Sequence, residues 1–148
     1  MLSNNLTVCD LTKFWVSSMK EEMTFGAFVR EKRVNKEPYI SLRKVAETLG
    51  LSAPYLSNVE TNREVAPKRE ILAKLAEILH LDKYEKARMY DLAAKSKNHV
   101  AVPADLPEYI SEHELARTAL RVAKEVDATD KEWQEFINKL KKRGKIEE

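Results

Sequence analysis

The sequence predicts an all-α protein, and three observations carry that expectation. The 148 residues hold three Gly and five Pro, too few for the many tight turns of a β-sandwich. Beyond residue 23, apolar side chains recur three and four apart, the spacing that lines one face of a helix. Between these stretches stand Ser, Thr, Asp, Asn, Gly and Pro, the residues that start and stop helices. A hydrophobic share of 43% beside 34% charge fits a globular chain rather than a disordered one.

The elements follow in order. Residues 1–22 read as an N-terminal extension, flexible or a loosely docked helix, with Leu11, Phe14, Trp15, Ser18 and Met19 as its stripe and Asp10 or Thr12 near its start. Residues 23–95 read as one domain. Thr24 caps a first helix in which Phe25, Phe28, Val29 and Lys32 repeat at helical spacing until Asn35, and Lys36, Glu37 and Pro38 break it. Ser41 caps a second, Leu42 to Leu49, with Leu42, Val45, Ala46 and Leu49 on one face; Gly50 follows where a left-handed residue is needed. Ser52 caps a third, Ala53 to Glu60, with Pro54 in its first turn and Leu56 and Val59 facing inward.

Thr61, Asn62 and Arg63 form a turn, Asn being the residue after Gly that best tolerates positive φ. Pro67 is expected to open a fourth helix running to about Leu79, with Ile71, Leu72, Leu75, Ala76 and Leu79 apolar. His80, Leu81 and Asp82 separate it from a fifth, stacked through Tyr84, Ala87, Arg88, Asp91 and Leu92. Residues 96–106 read as a linker, with Pro103 inside it and Pro107 just beyond. In the C-terminal helical region, 107–148, Ser111 is expected to cap a helix carrying Leu115, Ala119, Val122 and Val126. Thr129, with Glu132 three residues on, is a capping box for a last helix whose stripe of Trp133, Phe136, Ile137 and Leu140 should be buried, within one chain or between two. Lys141, Lys142, Arg143 and Lys145 read as its frayed end.

Charge and composition exclude several classes. Net charge is +2, but from Thr24 to Arg69 nine Lys/Arg stand against five Glu, whereas from Glu70 onward fifteen stand against sixteen acids. A basic segment followed by a balanced one suits a DNA-facing module with a separate assembly region. A lone cysteine, Cys9, forms no intrachain disulfide or thiolate zinc site, and His80, His99 and His113 lack metal-ligand spacing, so no metal and no cofactor are expected. No Gly-rich phosphate loop or nucleophile–base set argues for an enzyme. The residues after the linker are too few and too helical for an all-β self-cleaving protease domain. Without a membrane span or signal peptide, the expected location is cytoplasmic.

The twenty residues from Leu42 to Thr61 hold the pattern that carries function. Two short helices packed steeply need a small residue at the approach (Ala46), positive φ at the bend (Gly50), and buried apolar residues that pin the second helix with its other face outside (Leu51, Leu56 and Val59). The stretch SLRKVAETLGLSAPYLSNVETNR followed by Pro67 resembles the Cro/C1 family of repressors, also called XRE. Ser41–Leu42 begin the motif, Leu51–Ser52 follow the Gly, Tyr55 and Leu56 hold the next helix, and Glu60 closes it. The family pattern E-x-G-x-x-x-P is altered, since Asn62 replaces its Gly and Val65–Ala66 lengthen the approach to Pro67.

The resemblance implies a five-helix lambda-repressor-like DNA-binding domain with a C-terminal helical extension. It implies that Ala53 to Glu60 enters the major groove, with Ala53, Pro54, Tyr55 and Asn58 toward base edges. Asn58 would bond the N6/N7 edge of adenine in two places, and Ala53 and Pro54 would meet a thymine methyl. Arg43, Lys44, Ser52, Ser57, Asn62 and Arg63 are placed for phosphates. Tyr55 could equally be a packing residue with its hydroxyl in water, the lysines and arginines solvated charge, and Glu60 is expected to bond within the fold. The C-terminal helices should close either a homodimer or a lid over the fifth helix, and the leading expectation is a bacterial or phage repressor that binds double-stranded DNA as a homodimer. An alternative is an antitoxin whose C-terminal helices bind a toxin; another is an interaction module that no longer reads DNA.

Overall fold

The structure, a computed structural model, describes residues 23–144. The helix expected around Leu11 to Met19, the extension 1–22 as a whole, and Lys145 lie outside the described residues. Those described form eight helices and no strand: α1 (Phe25–Val34), α2 (Leu42–Leu49), α3 (Ala53–Glu60), α4 (Arg69–Ile78), α5 (Lys83–Lys95), α6 (Pro107–Glu112), α7 (Glu114–Glu125) and α8 (Asp130–Gly144). Two compact units divide the chain between Asp105 and Leu106.

The first unit has one core. Phe25, Phe28 and Val29 of α1, Val45, Ala46 and Leu49 of α2, Leu56 and Val59 of α3, and Leu72, Leu75 and Ala76 of α4 are buried together. Each fully buried Phe, Leu or Met contributes roughly 1.5–3 kcal/mol over exposure. In this arrangement α1 packs on α3 and α5, while α2 packs on α3 and α4.

Two expectations in this unit are corrected. Helix α4 begins at Arg69 rather than at Pro67, because Ala66 and Pro67 are buried in an extended run. The Ser96 hydroxyl accepts the Ala66 N–H at 2.9 Å, and the Lys97 ammonium donates to the Ala66 carbonyl. These two bonds tie the segment to the end of α5 and delay the helix. Helix α5 turns Met89 and Ala93 into the core, not the stripe of Tyr84, Ala87, Arg88 and Asp91, which is exposed; Leu92 is half-buried. The phase of α5 is set by an Asp82–Glu85 capping box and by the ion pair from Lys32 of α1 to Glu85.

The second unit holds α6 to α8. Helix α7 is not capped by Ser111, which falls inside α6: Pro107 starts that short helix, and an extended His113 separates the two. The Thr129–Glu132 box does open α8, the Thr129 N–H donating to Glu132 Oε2 at 2.8 Å and the Glu132 N–H to Thr129 Oγ at 3.4 Å. Of the stripe on α8, Trp133 is half-buried and Phe136, Ile137 and Leu140 are exposed among the described residues.

Candidate nucleic-acid interface

The α2–α3 pair is assembled from its caps. Ser41 sits in extended backbone and its Oγ accepts the Lys44 N–H at 3.2 Å, starting α2. Gly50 takes φ 69°, ψ 30°, and the Leu51 N–H returns to the Ala46 carbonyl at 2.9 Å, ending the helix and turning the chain. Gly50 carries this turn because its left-handed backbone would strain a residue with a Cβ. Ser52 repeats the device for α3, its Oγ accepting the Tyr55 N–H at 3.2 Å.

What pins α3 is more than apolar packing. Leu56, Val59 and Glu60 are buried along its inner side. The Glu60 carboxylate takes a two-pronged contact from Arg33 of α1, Nε to Oε1 at 2.7 Å and Nη2 to Oε2 at 2.9 Å. Arg33 also donates to the Ile40 carbonyl at 3.4 Å. The hydrogen-bonded Glu60 carboxylate raises the pKa of the guanidinium further, so Arg33 stays charged. Glu60 therefore bonds within the fold, as its sequence position suggested. Its partner Arg33 was not anticipated.

A second tie joins α1 to the end of α3. At Gly26 an added Cβ would stand 2.2 Å from the Val59 carbonyl oxygen, 2.7 Å from that of Glu60 and 2.8 Å from Asn62 Oδ1. Asn62 has φ 59°, the left-handed turn expected of it, and its Oδ1 accepts the Gly26 N–H at 3.2 Å. Asparagine thus supplies both the backbone turn and a bond that glycine could not make.

The outer side of α3 carries the candidate reading residues. Pro54, Ser57 and Asn58 share a face at i, i+3 and i+4; Pro54 and Ser57 are exposed and Asn58 half-buried. Ala53 and Tyr55 are half-buried and lean on the core, so packing takes part of each surface. Arg43, Lys44, Ser52, Asn62 and Arg63 are exposed. The Lys44 ammonium is shared with Glu47 at 3.1 Å, and the Asn62 oxygen is taken by Gly26, while no bond of the Asn58 amide is found among the described residues. An uncharged face of hydroxyl, amide and apolar groups with cations on either side can read base edges and neutralise phosphates. Among the described residues no cluster of His, Cys, Asp or Glu could hold a metal, and no helix is long and apolar enough to cross a membrane.

Comparison with known proteins agrees with this geometry. A family model described as helix-turn-helix matches residues 29–85, from α1 to the start of α5. The chain is 33% identical over 64 residues to the ImmF control region 10 kDa protein of Bacillus phage phi105, covering 43% of this chain and 68% of that one. No solved structure gives a significant match.

Proposed function

The chain belongs to the Cro/C1-type helix-turn-helix family of DNA-binding transcription regulators, and on that footing we propose that it is a cytoplasmic repressor that binds a pseudo-palindromic operator as a homodimer. The observation that carries this reading is α3 itself: its inner side is fixed to α1 by the Arg33–Glu60 and Gly26–Asn62 contacts, and its outer side stands uncharged and free. A rigid helix of that kind suits the major groove. Asn58 bonds adenine N6/N7, Ala53, Pro54 and Tyr55 line the neighbouring base edges, and Arg43, Lys44, Ser52, Ser57, Asn62 and Arg63 hold the phosphates.

One such module grips a short half-site, and two on a repeat give the affinity of an operator. The relative's description as a control-region protein of a phage supports a regulatory role. The test is selection of bound DNA from a random pool, repeated with Asn58→Ala and Arg43→Ala. An enriched inverted repeat is expected, relaxed at one base by Asn58→Ala at a cost of about 1–3 kcal/mol and weakened alike at all sequences by Arg43→Ala. Absence of any enriched sequence would overturn the reading.

A further inference from the structure

The second unit has no core of its own. From Leu106 to Gly144 no residue is buried, and Leu115, Val126 and Phe136 are 83%, 66% and 50% exposed. Segments of roughly 40 residues are usually completed by disulfides, metals or association. The chain's lone cysteine, Cys9, lies elsewhere, and no metal-holding cluster occurs among the described residues. Association remains.

Helix α8 indicates with what. Trp133, Phe136, Ile137 and Leu140 form one apolar stripe, with Trp133 and Phe136 edge-to-face at 6.3 Å between ring centres. The charge flanking the stripe changes sign along the helix: Asp130 and Glu132 stand beside it in the first half and Lys139, Lys141 and Arg143 in the second, while Lys131, Glu135 and Lys142 lie on the opposite face. A helix acidic at one end and basic at the other complements its own reversed copy. We propose that α8 pairs antiparallel with α8 of a second copy of this chain, about a two-fold axis near Phe136 and Ile137. This deepens the homodimer reading above and rests on it.

Helix geometry gives the register. With Phe136 and Ile137 at the axis, Trp133 meets Leu140 of the other copy. In an antiparallel pair like edges face each other, so along one edge Glu132 faces Lys139 and along the other Asp130 faces Lys141. A parallel pair would set Lys139 beside Lys141 and lose these attractions. The apolar stripe supplies attraction, and the charge pattern selects direction.

The test uses the full chain in a Cys9→Ser background, with Asp130→Cys and Lys141→Cys as separate variants and sedimentation to score assembly. In the antiparallel pair each new cysteine lies about 13–20 Å along the axis from its own copy, beyond the ~7 Å Cα separation a disulfide spans. A dimer that cross-links under oxidation only when the two variants are mixed and re-equilibrated supports the proposal. A dimer that cross-links within one variant, or not in the mixture, overturns the antiparallel pairing and leaves the homodimer reading standing. A monomer overturns both and points to a protein partner of another kind. As a second readout, Lys141→Glu should weaken dimerisation about tenfold, because the symmetry counts each lost pair twice, and adding Asp130→Lys should restore it. Failure of that rescue with the helix content intact would overturn the pairing as well.

Discussion

Substituting Gly26 by Ala tests the tie between α1 and α3 through the sign of its effect. Gly26 is the second residue of α1, and in a helix with a free surface Ala would stabilise by up to ~1 kcal/mol. Here the new methyl meets two carbonyl oxygens of α3 at 2.2 and 2.7 Å, and neither is the end of a flexible side chain. Reaching ordinary contact requires α1 or the last turn of α3 to retreat by about 1 Å. Overpacking of this kind costs typically ~1–3 kcal/mol, which outweighs the propensity gain. At about 4–8 °C per kcal/mol for a domain of this size, thermal unfolding should fall by roughly 5–20 °C. Urea denaturation followed by circular dichroism measures the change, with an unaltered slope identifying a loss of native stability. A Gly26→Ala variant as stable as the parent, or more so, would refute the claim that α1 and α3 touch there.

Three further perturbations address the same region. Arg33→Met leaves the Glu60 carboxylate buried without its cation and should cost about 3–5 kcal/mol, whereas Arg33→Met with Glu60→Leu should recover most of that, as measured by urea unfolding. Asn62→Gly keeps the turn and loses the bond to Gly26, for about 0.5–1.5 kcal/mol; Asn62→Ala adds left-handed strain of roughly 1 kcal/mol more. The expected stability order is Asn, Gly, Ala, and a glycine variant equal to the parent would count against the bond. The Lys32 ammonium, and then the Asp82 backbone N–H, hold the Glu85 carboxyl below its ordinary range. A depressed carboxyl stabilises the fold above its unfolded pKa, so stability should be lost as pH falls from about 5 through the lower folded value. Replacing Glu85 by Gln should flatten that part of the profile, and an unchanged pH dependence would remove Glu85 as its source.

The legible parts of the fold are those written locally. Thr24, Ser41 and Ser52 stand immediately before apolar repeats, and each proves to be an N-cap at the predicted residue. Gly50 and Asn62 both take the left-handed backbone their chemistry favours. Features that depend on distant partners are not visible this way. Arg33 and Glu60 are separated by 27 positions, and an arginine in a run of basic residues looks like surface until α3 is folded against it. Gly26 resembles any glycine in a first turn until the Val59 carbonyl arrives above it. In α5 the mixture of Ala, Tyr and Leu offers several stripes, and the ion pair from Lys32 together with the packing on α1 selects Met89 and Ala93. The late start of α4 depends on Ser96 and Lys97, thirty or more residues away. For the candidate interface, spacing tells which residues of α3 turn outward, but the partial burial of Ala53 and Tyr55 follows from their contacts.

The outward face of α3 has a consequence for how such a protein would behave in changing ionic conditions. The helix's one charged residue, Glu60, lies buried on its inner side, so every cation in the proposed interface belongs to α2 or to the turn after α3. Counterion release is then tied to the phosphates alone, which are the same at every site. Raising the salt would weaken binding everywhere while leaving the ranking of DNA sequences unchanged, so occupancy and discrimination would be set by separate groups of residues.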